Sequence, residues 1–143
     1  MAEGQNPFHW RGTVTDNEAF IGRDLDFQAI FTRLKTLSCV SVVGDRRIGK
    51  SSLLHQAAHR APKLLGPNCR AVYIDLLSAK HHTLDGLLRA LVHGFTNEDV
   101  TLMGWTGSEK LAAFEEAVRR VRSKGLMPVA FLDEFEAVAA RKE

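Results

Sequence analysis

The chain has 143 residues, 45% of them hydrophobic, and 19 Lys and Arg against 17 Asp and Glu leave a formal charge of +2. This predicts a single soluble globular domain with a sizeable core, and the near balance of charge argues against a generally basic nucleic-acid or membrane surface. No apolar segment approaches the roughly 20 residues of a membrane helix, and residues 1–12 lack a signal peptide's apolar core, so the default compartment is the cytoplasm.

Residues 1–17 are polar and glycine-containing, interrupted by Pro7, Phe8 and Trp10, without a helical or strand period. They read as an extended N-terminal arm pinned by its aromatics, or as a frayed terminus carrying stray apolar residues. Phe20-Ile21-Gly22-Arg23 leads into a helix predicted over Asp24–Lys35, with Leu25, Ala29 or Ile30, Phe31 and Leu34 on its inner face. Taken alone, Gly22-Arg23 is the start of a helix with a surface arginine. Cys39 and Cys69 lack metal-ligand spacing and any disulfide-rich pattern, and read as reduced packing residues.

Most of the chemical information lies between Leu37 and Leu54. Val40, Ser41, Val42 and Val43 read as a buried strand, and Ser52, Leu53, Leu54, Ala57 and Ala58 as a helix. Between them, Gly44, Gly49, Lys50 and Ser51 fit G-x-x-x-x-G-K-[ST], the phosphate-binding P-loop pattern. Four fixed positions would match by chance in roughly half a percent of chains this long, so coincidence is a poor explanation. The two glycines let the backbone take positive φ and approach a polyanion. Amides of the loop and of the helix's first turn form a nest that the helix dipole makes more favourable for anions. Lys50 would set an ammonium against the β- and γ-phosphates, and the Ser51 hydroxyl would ligate a bridging magnesium ion.

The helix from Lys50 is expected to end near Arg60, ahead of Pro62 and the Gly66-Pro67-Asn68 loop. His55 and His59 stand four apart, but the glutamate of H-E-x-x-H and a third ligand are missing, so they read as a solvated face, as do His81 and His82. Arg70–Leu77 reads as a second buried strand with Asp75 near its carboxyl end, in a turn or cap role or supporting a metal-bound water. After a loop over Ser78–His82, a helix over Thr83–Phe95 turns Leu84, Leu87, Leu88, Leu91 and Phe95 inward. Ser108 is the expected cap of the next helix, with Leu111, Phe114, Val118 and Val121 as its stripe; its basic end at Arg119, Arg120, Arg122 and Lys124 suits the dipole, and Gly125 closes it. Leu126–Phe135 is an apolar run that delivers Asp133 and Glu134 at its end. Beside a P-loop, such an aspartate can hold magnesium through water and the glutamate can deprotonate an attacking water. Helix, strand, P-loop, helix, strand, helix, helix, strand implies a parallel sheet with crossover helices.

With these motifs in place the chain resembles P-loop ATPases of the AAA+ and STAND type, closest to bacterial AAA-like ATP-binding proteins. The anchors are Asn6-Pro7-Phe8, Phe20-Ile21-Gly22-Arg23, Val43 to Ser52 and Phe131-Leu132-Asp133-Glu134. The resemblance implies a three-layer αβα P-loop NTPase fold over residues 18–143, and it turns Phe20, Ile21, Gly22 and Arg23 into a candidate base-binding segment. It makes Gly44, Arg47, Ile48, Gly49, Lys50, Ser51 and Ser52 the candidate phosphate-binding set, Ser51 and Asp133 the candidate Mg2+ ligands, and Lys50 and Glu134 the candidate catalytic pair. ATP and Mg2+ are the implied cofactors. Such proteins have five core strands, the fourth lying between the P-loop strand and the acidic strand. The fourth and fifth, with their sensor, arginine finger and helical lid, have no counterpart before Glu143, so the fold is expected to be incomplete, as in a fragment or truncated relative.

The expected function is an ATP-binding and, in its complete form, ATP-hydrolysing switch domain that acts by self-association or on a downstream effector domain. Two readings stand beside it: a nucleotide-binding or scaffold module that never hydrolyses, and a DNA-associated AAA+ ATPase. A guanine-nucleotide reading is disfavoured, since N-K-x-D is missing and Asp133-Glu134-Phe135-Glu136 lacks the glycine of D-x-x-G.

Overall fold

The computed structural model describes residues 22–45, 47–81, 83–102 and 104–139. In chain order these form α1 (Asp24–Lys35), α2 (Lys50–Leu65), β1 (Cys69–Asp75), a 3-10 turn (Ala79–His81), α3 (Leu84–Thr96), α4 (Gly107–Ser123), β2 (Met127–Asp133) and the short α5 (Glu136–Ala139). The two strands pair in parallel, in register from Cys69 opposite Met127 to Asp75 opposite Asp133. A parallel pair needs a long crossover, and α3 and α4 supply it.

Side-chain alternation along the strands builds two cores. Cys69, Ala71, Tyr73, Met127, Val129 and Phe131 face α1 and α2, where Phe27, Ile30, Phe31, Leu53, Ala57 and Ala61 complete the first cluster. Val72, Ile74 and Leu132 point the other way, onto Leu91, Phe95, Phe114, Val118 and Val121 of α3 and α4. The result is three layers, helices on both faces of a parallel sheet, as α/β alternation requires. Asp75 and Asp133 share the parity of the first set, so both lie on the α2 face at the strands' carboxyl edge.

Several elements depart from the sequence expectation. Val40–Val43 is not a strand: Val40 and Val42 rest against the first cluster while Val43 is 88% exposed. A buried parallel strand needs a hydrogen-bonded neighbour, and among the described residues the sheet contains only β1 and β2. Helix α2 runs through Pro62 to Leu65. The proline forfeits one amide bond, but its fixed φ suits a helix, and that last stretch buries Ala61 completely and packs Leu65 on the core. Gly66, at φ 112°, then ends the helix, its amide donating to the Pro62 carbonyl at 3.2 Å.

β1 stops at Asp75 because the Asp75 carboxylate accepts from the Leu77 amide at 2.9 Å and turns the chain, the local role weighed for it above. Thr106, not Ser108, caps α4. Its hydroxyl accepts from the Glu109 amide while the Glu109 carboxylate accepts from the Thr106 amide at 2.6 Å, a reciprocal capping box. Those bonds hold the Glu109 carboxyl below its ordinary value.

The inner faces also shift by a position or two. Leu25 is 80% exposed and Ala29 is exposed, while Phe27 is buried with Ile30 and Phe31. Leu84 and Leu111 are exposed, and Val92 and Ala117 are buried instead. Cys69 packs in the core, where burial pushes its thiol up, but Cys39 is exposed and is no packing residue. No helix among the described residues is long and apolar enough to cross a membrane.

Candidate functional site

Three chain segments carry the candidate residues. The first is the start of α1, where Gly22 (φ 88°) and Arg23 (φ 62°) both adopt the left-handed conformation. Arg23 is held by two bonds: Nε donates to Asp26 Oδ2 at 2.7 Å, and Nη1 donates to the Ile48 carbonyl oxygen at 2.9 Å. The second bond ties this segment to the glycine loop across 25 positions of sequence.

The loop is the second segment. Arg47 (φ 64°) and Gly49 (φ 89°) are left-handed, and Gly49 is the N-cap of α2, its carbonyl accepting from Leu53 at 2.9 Å. Its φ favours glycine here, and a Cβ on Gly49 would stand 3.3 Å from Arg23 Nη1, close enough that the guanidinium would have to give way. The first turn of any helix presents amides without intrahelical acceptors, and here that turn opens at Lys50 on the loop's exit. The Lys50 ammonium folds back to donate to the Gly44 carbonyl and, at 2.9 Å, to the Asp45 carbonyl. Ser51 is half-buried and Ser52 buried, while Gly44 and Ile48 are exposed.

The end of β2 is the third. Asp133 is 6% exposed. Its Oδ2 accepts from the Tyr73 hydroxyl at 2.6 Å and its Oδ1 from the Glu134 amide at 2.9 Å. Burial, and secondarily the bond to Asp133 with the charges of Asp133, Asp75 and Glu134, push the Tyr73 phenol well above its ordinary value. The phenol therefore stays a donor. Glu134, at φ 56°, is exposed, and its carbonyl accepts from Ala137 to start α5.

Helix α2 joins the second segment to the third by packing across both strands. The His55 ring meets the Tyr73 ring edge-on, with centroids 5.2 Å apart and planes at 70°. His55 follows Ser51 by one helical turn, a rise of about 6 Å, so the path from the loop exit to Asp133 is one turn of helix and one tyrosine.

Against this geometry, a family model described as novel STAND NTPase 1 matches residues 8–143. The chain belongs to that family. No curated protein and no solved structure matches it.

In this STAND NTPase, Arg23 reaches the loop at Ile48 and lies beside Gly49, while Asp133 lies at the end of β2 on the α2 face, bonded to Tyr73. Phe20 and Ile21, with Asn6, Pro7, Phe8, Trp10, Arg46 and His82, lie outside the described residues, as does the whole of the expected arm. Two histidine readings change. His55 is packed against Tyr73 with its Nδ1 buried and unbonded, rather than on a solvated face. His81 Nδ1 bonds the Asp75 carbonyl at 2.8 Å. Among the described residues no group of three or more His, Cys, Asp or Glu side chains is placed to hold a metal ion by itself.

Sequence reasoning missed Tyr73. Two pieces of arithmetic point to it: it shares the strand parity of Asp75, and His55 lies four residues beyond Ser51. Neither carries weight until the register of β1 on β2 is known.

Proposed function

We propose that this STAND NTPase binds ATP with Mg2+ in the cleft between the Gly44–Ser52 loop and the end of β2, and works as a nucleotide-controlled switch domain of the cytoplasm. The observation that carries the reading is that Asp133 lies buried at the end of β2, bonded to Tyr73 on the strand pair that α2 packs across. The residues present fit a triphosphate and its cation: a left-handed glycine cap, helix-start amides, a lysine ammonium, a serine hydroxyl and a buried carboxylate.

Backbone amides at Gly49 to Ser52 receive the phosphates, and Lys50 leaves the Gly44 and Asp45 carbonyls to meet the β- and γ-phosphate oxygens. The carbonyls thus act as a resting place for the ammonium. The Ser51 hydroxyl and the Asp133 carboxylate are the groups that would hold Mg2+, which when bound would supply charge neutralisation to the triphosphate. Arg23 steadies the loop from outside through Ile48, and with Gly22 borders the base. Glu134 takes a proton from a water as that oxygen attacks the γ-phosphorus and the bond to the ADP oxygen breaks.

A titration of the chain with ATP, with and without Mg2+, tests the binding step, and phosphate release tests turnover. Lys50→Ala is expected to weaken binding, and Glu134→Gln to keep MgATP binding while losing about 10² to 10⁴ in rate. Unchanged hydrolysis in Glu134→Gln would remove that assignment; no affinity for magnesium adenine nucleotides would remove the whole reading. A second reading, binding without hydrolysis, draws on the exposure of Glu134 and its left-handed backbone. Stoichiometric phosphate release by the chain with no partner would reject it.

A further inference from the structure

Among the described residues the Asp133 carboxylate has two protein donors, its own neighbour's amide on Oδ1 and the Tyr73 hydroxyl on Oδ2 at 2.6 Å. The amide is fixed by the backbone. The hydroxyl is not, and its placement depends on two contacts of the Tyr73 ring: the strand register that sets Tyr73 opposite Phe131, and the edge-on His55 ring from α2. A donor on one oxygen sets the plane of a carboxylate and so the direction of its remaining lone pairs. We propose that Tyr73 is a positioning residue for the cation: through its hydroxyl it holds the Asp133 carboxylate turned toward the first turn of α2, and through its ring it transmits the seating of α2 to that carboxylate. This rests on the reading of Asp133 as a cation-holding residue. Tyr73 touches neither nucleotide nor metal in this account.

A plainer role also exists for a phenol in this place, which is to satisfy a buried carboxylate so that the domain folds. The two roles separate experimentally. The probes are Mn2+, whose free fraction is read by electron paramagnetic resonance, and AMP-PNP, a non-hydrolysed ATP analogue. In Tyr73→Phe, the Mn2+ Kd in the presence of AMP-PNP is expected to rise about tenfold, the scale found when a metal ligand loses its outer hydrogen-bond partner. AMP-PNP affinity in EDTA stays within about twofold of the wild type on the same principle.

The sequence contains a single tyrosine, so 3-fluorotyrosine incorporation gives one 19F resonance reporting on this bond without removing the hydroxyl. That resonance is expected to move when Mg2+ is added to the AMP-PNP complex, and to stay put in Asp133→Asn. If the wild type shows no metal-dependent binding, the reading of Asp133 falls and takes this inference with it. If the wild type binds the metal complex but Tyr73→Phe binds Mn2+ as tightly, or the 19F resonance ignores Mg2+, only the inference falls. Loss of AMP-PNP binding in EDTA by Tyr73→Phe would assign the tyrosine to folding instead.

Discussion

Replacing Gly49 by alanine tests the joint between the loop and the start of α1 without any assumption about ligands. Gly49 sits at φ 89° as the cap of α2, and its added Cβ would stand 3.3 Å from Arg23 Nη1. Holding an L-residue in the left-handed region costs about 1–2 kcal/mol. The methyl meets the end of a flexible side chain, so the guanidinium moves aside and the bond from Nη1 to the Ile48 carbonyl is lost, about 1 kcal/mol at a partly exposed site. Gly49 stands at the cap, so no helix-interior gain offsets these costs. The sum is about 2–3 kcal/mol, which for a domain of this size lowers Tm by about 6–12 °C. Melting followed by circular dichroism without nucleotide reads it directly. Arg23→Gln alone should cost about 1 kcal/mol, and the double variant less than the two singles combined by a similar amount, because one bond cannot be lost twice. A Gly49→Ala protein melting within about 2 °C of the wild type, or fully additive costs, would refute the coupling.

Three other outcomes are expected. Thr106→Ala removes the hydroxyl of the capping box and should destabilise by about 1 kcal/mol in urea unfolding, whereas Ser108→Ala should fall within about 0.5 kcal/mol of the wild type; the reverse order would return the cap to Ser108. Gly86→Ala would drive a Cβ to 1.9 Å from the Lys80 carbonyl oxygen, so it should cost about 1–3 kcal/mol despite alanine's better helix propensity, and a stabilised variant would contradict the packing of the 3-10 turn on α3. The raised Tyr73 phenol gives a sign to the alkaline limb. Above about pH 10 the unfolded tyrosine loses its proton while the folded one keeps it, so the folded state binds more protons and stability falls with rising pH. Tyr73→Phe lacks that component. Its stability difference from the wild type should therefore shrink between pH 9 and 11, and a difference that stays constant or widens would rule out the raised phenol.

Much of the secondary structure was legible because it is a local matter. The span of α1 follows from its apolar spacing, α4 stops just before Gly125 in the left-handed conformation, and the P-loop pattern marks where α2 begins. Pattern reading went astray where a neighbour decides the outcome. Val40–Val43 has the composition of a strand, but hydrogen bonding to another strand makes one, and its side chains only half-bury against the first core. Pro62 reads as a stop, yet α2 continues because Ala61 and Leu65 bury against the sheet. Thr106 and Ser108 are both competent caps by residue type, and the box with Glu109 chooses between them.

At the candidate site the same division holds. Residue types at fixed spacing nominate Gly44, Gly49, Lys50 and Ser51 as candidates, because a phosphate-binding loop is a local pattern, and the acidic end of an apolar run nominates Asp133 and Glu134. What the sequence could not express is the pairing of Asp75 with Asp133, the reach of Arg23 to the Ile48 carbonyl, or the seat of Tyr73 between His55 and Asp133. Each joins residues tens of positions apart, and such contacts exist only once two strands settle in one register and α2 lies across them.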